Sequence, residues 1–510
     1  MIKRVCTRLL ALFVFSLTLS SCGGGGGSPA SPPTISGVSG DGQVQISWTA
    51  LSGIYYWIFF TQSNQTFDIN NPPNTPQQGF IGALPTYVVG NLTNGLTTSM
   101  VVNAHAGNQN GPGGPQSNDV IVTPRLVFAD NTTTTLQCSA NCPPYVANGV
   151  AFGDAGTQVS NSSTIHVYVA VGNNASISTS LDGLSWTAQP SGALTYCSLG
   201  SNTLNGVAFN NNTFYAVGAN GTLCYNSQSV GNYTQYGLTN VVDTSNNWAP
   251  NNAIWYPASS KPNSTTTLYA VAGTQQTYGN NGSNNFVAVG SSGAVWDTTD
   301  GLNWTSVFTA SQDLHAVNYV GSCALPNSYQ WIAVGTGGTI IHSTDSTGAT
   351  QWAAATSGVT SNLTGVACSP NTTPYTVVNQ GVNPPNNTTP LAVAVGAGGT
   401  ILISSDGNNW TLRSSTVVGS DNLTAVYALN RALEGRSNNT QFVATSSTGN
   451  IYTSTDGITW VKYSVNGSSS LNAIVSTAGS NVPNGSFGTV PFSYVAVGSL
   501  GSSGFSAVSQ

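Results

Sequence analysis

Two aspartates stand where chemistry would be sought first. Asp313, in "SQDLHAV", and Asp421, in "GSDNLTAV", each come just before an apolar run. Glycoside hydrolysis needs two carboxyl groups facing each other across the scissile bond, and this pair is the candidate for such a role. Each also fits a plainer part, that of a turn residue bonding its own backbone. A second pattern spends the same residue types differently. Ser180-x-Asp182-Gly183-x-x-Trp186 returns as Thr298-x-Asp300-Gly301-x-x-Trp304, as Ser343-x-Asp345 through Gly348 to Trp352, as Ser404-x-Asp406-Gly407-x-x-Trp410 and as Ser454-x-Asp456-Gly457-x-x-Trp460. Asp and Ser side chains satisfy turn amides, Gly permits a positive backbone angle and Trp packs. A residue repeated in five places cannot converge on one reacting atom, so a structural role is expected for these five.

Sulfur and imidazole add little chemistry. Setting aside Cys6 and Cys22 near the start leaves Cys138, Cys142, Cys197, Cys224, Cys323 and Cys368. That even set suggests up to three disulfides, whose pairing the sequence leaves open. The rival use, a metal held by Cys138-x-x-x-Cys142, has no histidine near it in sequence. His105, His166, His315 and His342 are scattered over separate strands or strand ends. No metal and no cofactor are expected.

Composition sets the elements that must position these residues. Of 510 residues only 9 are Lys or Arg and 15 Asp or Glu, so 5% are charged, against roughly 25% in an average soluble chain. Helix formers are scarce, and Glu434 is the lone glutamate, whereas Gly, Asn, Ser, Thr and Val abound; strands and turns follow. A net charge of −6 offers no basic stripe to a phosphate backbone, so nucleic acid is not an expected partner.

The chain begins with Lys3, Arg4 and Arg8, followed by the apolar run Leu9 to Leu19, too short to span a bilayer. Leu19-Ser20-Ser21-Cys22 resembles a bacterial lipobox. That resemblance implies a signal peptide over 1–21 and lipidation at Cys22, with Gly23 in the next place favouring the outer membrane. Residues 22–31 would then be an anchor and flexible tether.

Residues 32–125 read as a β-sandwich. "GDGQVQISWTA" alternates Val44, Ile46 and Trp48, and the aromatic run "IYYWIFFT" follows. With Pro32-Pro33 at the entry, Leu92 before a turn, Val102 and Ala104 in a late strand and a closing "VIVTP", the segment resembles a fibronectin type III domain. Thr98 stands where that family usually places its corner tyrosine.

From 126 to 510 the sequence is self-similar. Seven apolar strands end in Gly or Ser: "VYVAVG", "FYAVG", "FVAVG", "WIAVG", "AVAVG", "FVATS" and "YVAVG". An earlier strand precedes each, as in "LNGVAF" or "LHAVNY", and a tight turn with a third strand follows. In five units the Asp-Trp phrase then opens a fourth. Four antiparallel strands repeated seven times predict a seven-bladed β-propeller, all-β throughout. The last unit stops at its third strand, so "RLVFADNTTTTL" at 125–136 is expected to complete it. The stretches 255–285 and 369–389 are expected to join first to second strands.

The Asp-Trp phrase resembles the Asp-box, or BNR repeat, of sialidase-type propellers. Those enzymes use three arginines and a Tyr/Glu pair, whereas the propeller region here holds Arg125, Arg413, Arg431 and Arg436, two of them within "RALEGR". "WIAVGTGGTIIHSTD" and "AVAVGAGGTILISSDGNNW" are similar to the photosystem II assembly factor family, seven-bladed propellers whose client surface is arginine-rich. The expected function is therefore a monomeric, envelope-anchored, non-catalytic binding or scaffold protein. Its partners would be the membrane, through the anchor, and an envelope protein or glycan at the propeller. The alternative is a carbohydrate-active enzyme, sialidase- or glycosidase-like.

Overall fold

The computed structural model describes residues 34–40, 43–49, 51–62, 77–82, 86–89, 92, 97–106, 113–123, 128–130, 146–157, 164–180, 183, 186–188, 197, 200–210, 213–227, 255–274, 285–323, 325, 329–345, 351–369, 391–428, 442–454, 456–465, 470–476, 494–500 and 503–509. Apart from short 3-10 turns, its regular elements are β-strands. No helix among these residues is long and apolar enough to cross a membrane. The chain divides into two compact units, one within Met1–Val127 and the other from Phe128 onward.

In the first unit, Ile35–Gly40, Gln43–Trp48 and Thr86–Val89 form one antiparallel sheet. Gln77–Gly82, Ile54–Gln62, Thr98–Ala106, Gly113–Gln116 and Val120–Val122 form another. The alternation in "VQISW" aims Val44, Ile46 and Trp48 into the core, where they meet Tyr56, Ile58, Met100 and Val102 from the second sheet. Trp48 and Tyr56 pack edge to face at 5.2 Å. Thr98 is fully buried at the start of its strand.

The second unit contains seven four-stranded antiparallel sheets among the described residues. Their first strands are Ala147–Thr157, Leu204–Asn210, Leu268–Gly273, Leu314–Tyr319, Leu363–Ser369, Leu423–Ala428 and Ser470–Ser476. Each of these strands neighbours the next, and the seventh neighbours the first, closing a ring. This is the architecture of a β-propeller. The ring is sealed by sequence ends: Phe128–Asp130 pairs with Ser503–Ser509 as the fourth strand of the seventh sheet. Residues 125–127 and 131–136 of that expected segment lie outside the described residues.

Two expectations about connections change. The stretch 255–285 is not one excursion, because Tyr256–Pro257 is the fourth strand of the second sheet. Only the part after Gly273 and before Phe286 joins a first strand to a second. The sequence reading missed this short strand because the second unit lacks an Asp-Trp phrase. Trp255 nevertheless stands at its start, 1% exposed, packed on Val167 and Val169 of the first sheet. Residues 370–389 lie outside the described residues.

The Trp side chains do for the sheets what the ring needs. Trp186 packs on Val495 and Val497 of the seventh sheet. Trp304 meets Tyr215 and Val217 of the second, and Trp352 meets Val287 and Val289 of the third. Trp410 lies on Ile332 and Val334 of the fourth, and Trp460 on Val393 of the fifth. Each indole thus reaches the sheet before its own. Deleting one such ring from a filled core costs about 3–5 kcal/mol.

Candidate functional site

The inner strands carry a shared irregularity. Register slips by one residue between Ala147 and Gly149, Leu204 and Gly206, Leu268 and Ala270, Leu314 and Ala316, Leu363 and Gly365, Leu423 and Ala425, and Leu471 and Ala473. The residues left unpaired in these bulges are Asn148, Asn205, Tyr269, His315, Thr364, Thr424 and Asn472, one from each sheet. A bulge re-aims its side chain, and all seven line a central cavity of about 280 Å³.

Five of the seven act as latches to the next sheet. Asn148 Nδ2 donates to the Leu204 carbonyl at 2.9 Å, and Asn205 Nδ2 to that of Leu268 at 2.8 Å. The Thr364 hydroxyl donates to the Leu423 carbonyl at 2.7 Å, and Thr424 to that of Leu471. Asn472 Nδ2 donates to the Ala147 carbonyl at 2.9 Å, across the closure of the ring. Each latch thus runs from the bulge residue of one sheet to the carbonyl just before the bulge of the next.

At the third and fourth sheets the latch is replaced by aromatic rings. Tyr269 and His315 pack on each other with centroids 5.2 Å apart. His315 Nε2 lies 2.9 Å from the Thr336 hydroxyl. Burial holds the His315 imidazole below its usual range, with the nearby Asp313 carboxylate working the other way. Burial, then Asp313, pushes the Tyr269 phenol up. Asp313 therefore reaches the channel site electrostatically. One of its oxygens, Oδ1, accepts the Ser292 N–H at 2.7 Å. Asn362 and Asn422, which stand just before their own first strands, accept from Gly337 and Gly398 in the same way.

Asp421 has a different environment. Its carboxylate accepts from the Thr448 hydroxyl at 2.8 and 2.7 Å, from Asn450 Nδ2 at 2.9 Å and from the Tyr452 hydroxyl at 2.8 Å. Burial alone would raise its pKa, but these donors, Asn450 foremost, hold it below the usual range. The two aspartates are thus used separately: Asp421 is spent on the sixth sheet, and Asp313 stands two residues before His315 with its side chain on the Ser292 N–H.

The Asp-Trp phrases form closed turns. The Ser180, Thr298, Ser404 and Ser454 hydroxyls accept from Gly183, Gly301, Gly407 and Gly457, at 2.8 to 2.9 Å. Asp300, Asp406 and Asp456 each accept two further backbone N–H groups. Asp345 donates its own N–H to the Ser343 hydroxyl at 3.2 Å. Asp182 lies outside the described residues. Burial opposes ionisation of Asp300 and Asp406, yet the N–H donors around Asn303 and Asn409 bring both from 3.8 to about 2. A carboxylate with a depressed folded pKa contributes stability above its unfolded pKa and loses it as pH falls through the folded value. Acid unfolding followed by tryptophan fluorescence should therefore steepen between about pH 4 and 2. Asp406→Asn should flatten that limb.

The third-sheet phrase differs from three of the others at its Trp. Trp186, Trp410 and Trp460 donate Nε1–H to the carbonyls of Gly183, Gly407 and Gly457. In the third sheet the Tyr215 hydroxyl takes the Gly301 carbonyl instead, and Trp304 Nε1 is buried without a partner. Tyr215→Phe should free that acceptor for Trp304. The expected change in unfolding free energy is within about 0.5 kcal/mol, rather than the roughly 1 kcal/mol of an ordinary lost hydrogen bond. Urea denaturation measures it.

Cys197 lies with Cys224 and Cys323 with Cys368 as disulfides, Cα atoms 6.1 and 6.2 Å apart. Cys22, Cys138 and Cys142 lie outside the described residues, as do Arg125, Arg431 and Arg436. His342 stacks on Tyr329 at 3.9 Å, away from His315, its Nε2 meeting Asn408 Oδ1 at 3.2 Å. Among the described residues no three His, Cys, Asp or Glu side chains are placed to hold a metal. Sequence reasoning singled out Asp313, read His315 as one of four scattered strand histidines and passed over Tyr269. The signal was available, as two aromatic residues at a position that is otherwise Asn or Thr.

No family model and no curated protein sequence matches the chain. Solved structures do. YCF48 from Cyanidioschyzon merolae is 12% identical over 75% of this chain and 98% of that one, with a TM-score of 0.44. YCF48 bound to D1 peptide is 15% identical over 75% of this chain and 94% of that one, with a TM-score of 0.46. The WD40 β-propeller domain of Doa1 is 9% identical over 75% and 97%, with a TM-score of 0.44.

Proposed function

We propose that this chain is an envelope lipoprotein that holds a partner at the channel mouth of a seven-bladed propeller without converting it chemically. In this reading Cys22 carries the outer-membrane anchor and residues 32–125 are a fibronectin type III spacer. The propeller is then the binding or scaffold module. The observation that carries the proposal is the ring of bulge residues, which brings one side chain from every sheet to a single cavity. A ligand there meets many groups at once, as pocket ligands do. The carbohydrate-active alternative needs two carboxyl groups facing one bond, and Asp421 already accepts from three side chains of its own sheet.

The test is photocrosslinking of the full chain in its native envelope, with the reactive group at exposed Gln312, three residues before His315 of the channel. A discrete adduct with one envelope component is expected. Glycan turnover that disappears in Asp313→Asn, with no adduct, would replace this reading with the enzymatic one.

A further inference from the structure

We infer that the Tyr269–His315 step is a subsite for a cationic side chain, a primary ammonium or a guanidinium, presented by the channel's partner. The inference rests on the reading of the channel as a binding site and names the chemistry that this site selects.

The break in the latch pattern at the third and fourth sheets carries it. The latch residues spend donors outward, on carbonyls of neighbouring sheets. Asn148 spends Nδ2 twice, on Leu204 and on Asn173 Oδ1. Tyr269 and His315 make no such bond to a neighbouring sheet among the described residues and pack on each other instead.

The aromatic step adds charge selection. Tyr269 is half-buried, and its hydroxyl has no hydrogen-bond partner among the described residues. Asp313 keeps Oδ1 on Ser292 and makes no ion pair among the described residues. Of the described cations, Lys261, Arg413 and Lys462, none lines the channel. A π-face beside an uncompensated carboxylate attracts a cation by quadrupole and charge together. The other sheets also show what this site would be without that role. Asn stands in place of Tyr269 in three sheets, and Asn362 and Asn422 stand in place of Asp313 with the same turn bond intact.

These internal equivalents supply the test, because each variant copies a residue that the fold already uses. Saturation-transfer NMR on the full-length chain would compare Nα-acetyl-lysine amide, Nα-acetyl-arginine amide and neutral methyl glucoside. Binding of a cationic probe is expected, weakened about tenfold in Asp313→Asn, a single charge-assisted hydrogen bond's worth. Tyr269→Asn should weaken it several-fold while retaining the wild-type melting temperature or exceeding it. Equal binding to wild type and folded Asp313→Asn would overturn the inference, as would preference for methyl glucoside. If no probe binds but the Gln312 adduct persists, the cation subsite fails and the binding function stands. Loss of the adduct as well removes both.

Discussion

Gly335→Ala is expected to destabilise the ring by about 3 kcal/mol or more, at the upper end of what overpacking costs. Gly335 ends the second strand of the fourth sheet. A Cβ there would sit 1.9 Å from the Asp313 carbonyl oxygen, and that carbonyl is fixed by accepting the Thr336 N–H at 2.9 Å. The atom it meets is backbone and cannot rotate away. The same collision, at 2.0 to 2.1 Å, awaits Gly218, Gly290, Gly396 and Gly498. That is the physical reason for the recurring "AVG". Gly337→Ala is the control: its φ is +66° but nothing lies within 4 Å of the added atom. It should cost only the left-handed backbone penalty, about 1–2 kcal/mol. Chemical denaturation of the two variants side by side checks the prediction. Equal losses would mean that strand spacing, and not backbone angle alone, has been misjudged.

Removing the Cys323–Cys368 bond should cost about 4 kcal/mol, the chain-entropy value for a closed loop of this size. The two cysteines are 45 residues apart in sequence. Cys323 follows the first strand of the fourth sheet and Cys368 lies in the first strand of the fifth, both in one core with Ile332, Val334 and Trp410. The bond therefore ties neighbouring sheets, where a lone four-stranded sheet has little core of its own. Cys323→Ala with Cys368→Ala, unfolded in urea, should lose more than the Cys197 and Cys224 pair, which spans 27 residues. An unchanged midpoint, matched by insensitivity of the wild type to reductant, would show that these thiols are not joined.

Much of the architecture was legible because its causes are local. The "AVG" strand ends, the tight turns and the Asp-Trp phrases repeat visibly, and counting them yields the sheets. The missing last strand followed from arithmetic. The second sheet's fourth strand was not legible, because its two residues carry no turn phrase and only Trp255 marks them. The site was half legible. Asp313 and Asp421 could be picked out because each comes just before an apolar run, but a carboxylate's partners come from other strands. Thr448, Asn450 and Tyr452, which occupy Asp421, are distant in sequence. The latch was hidden for a related reason. Asn, Thr, Tyr and His at one position look like neutral drift until the bulge shows that each side chain faces its neighbour.

The seam that closes the ring has a mechanical meaning. Phe128–Asp130 holds the last sheet through three residue pairs, Phe128 with Ser509, Ala129 with Val508 and Asp130 with Ala507. Any tension arriving along the chain from the first unit enters the second through this short strand. The remaining sheets are built from consecutive stretches and lie behind it. Under load the seam is the fuse: it would part first, and the ring could reseal when the pull relaxes, because the six other sheets keep their strands together.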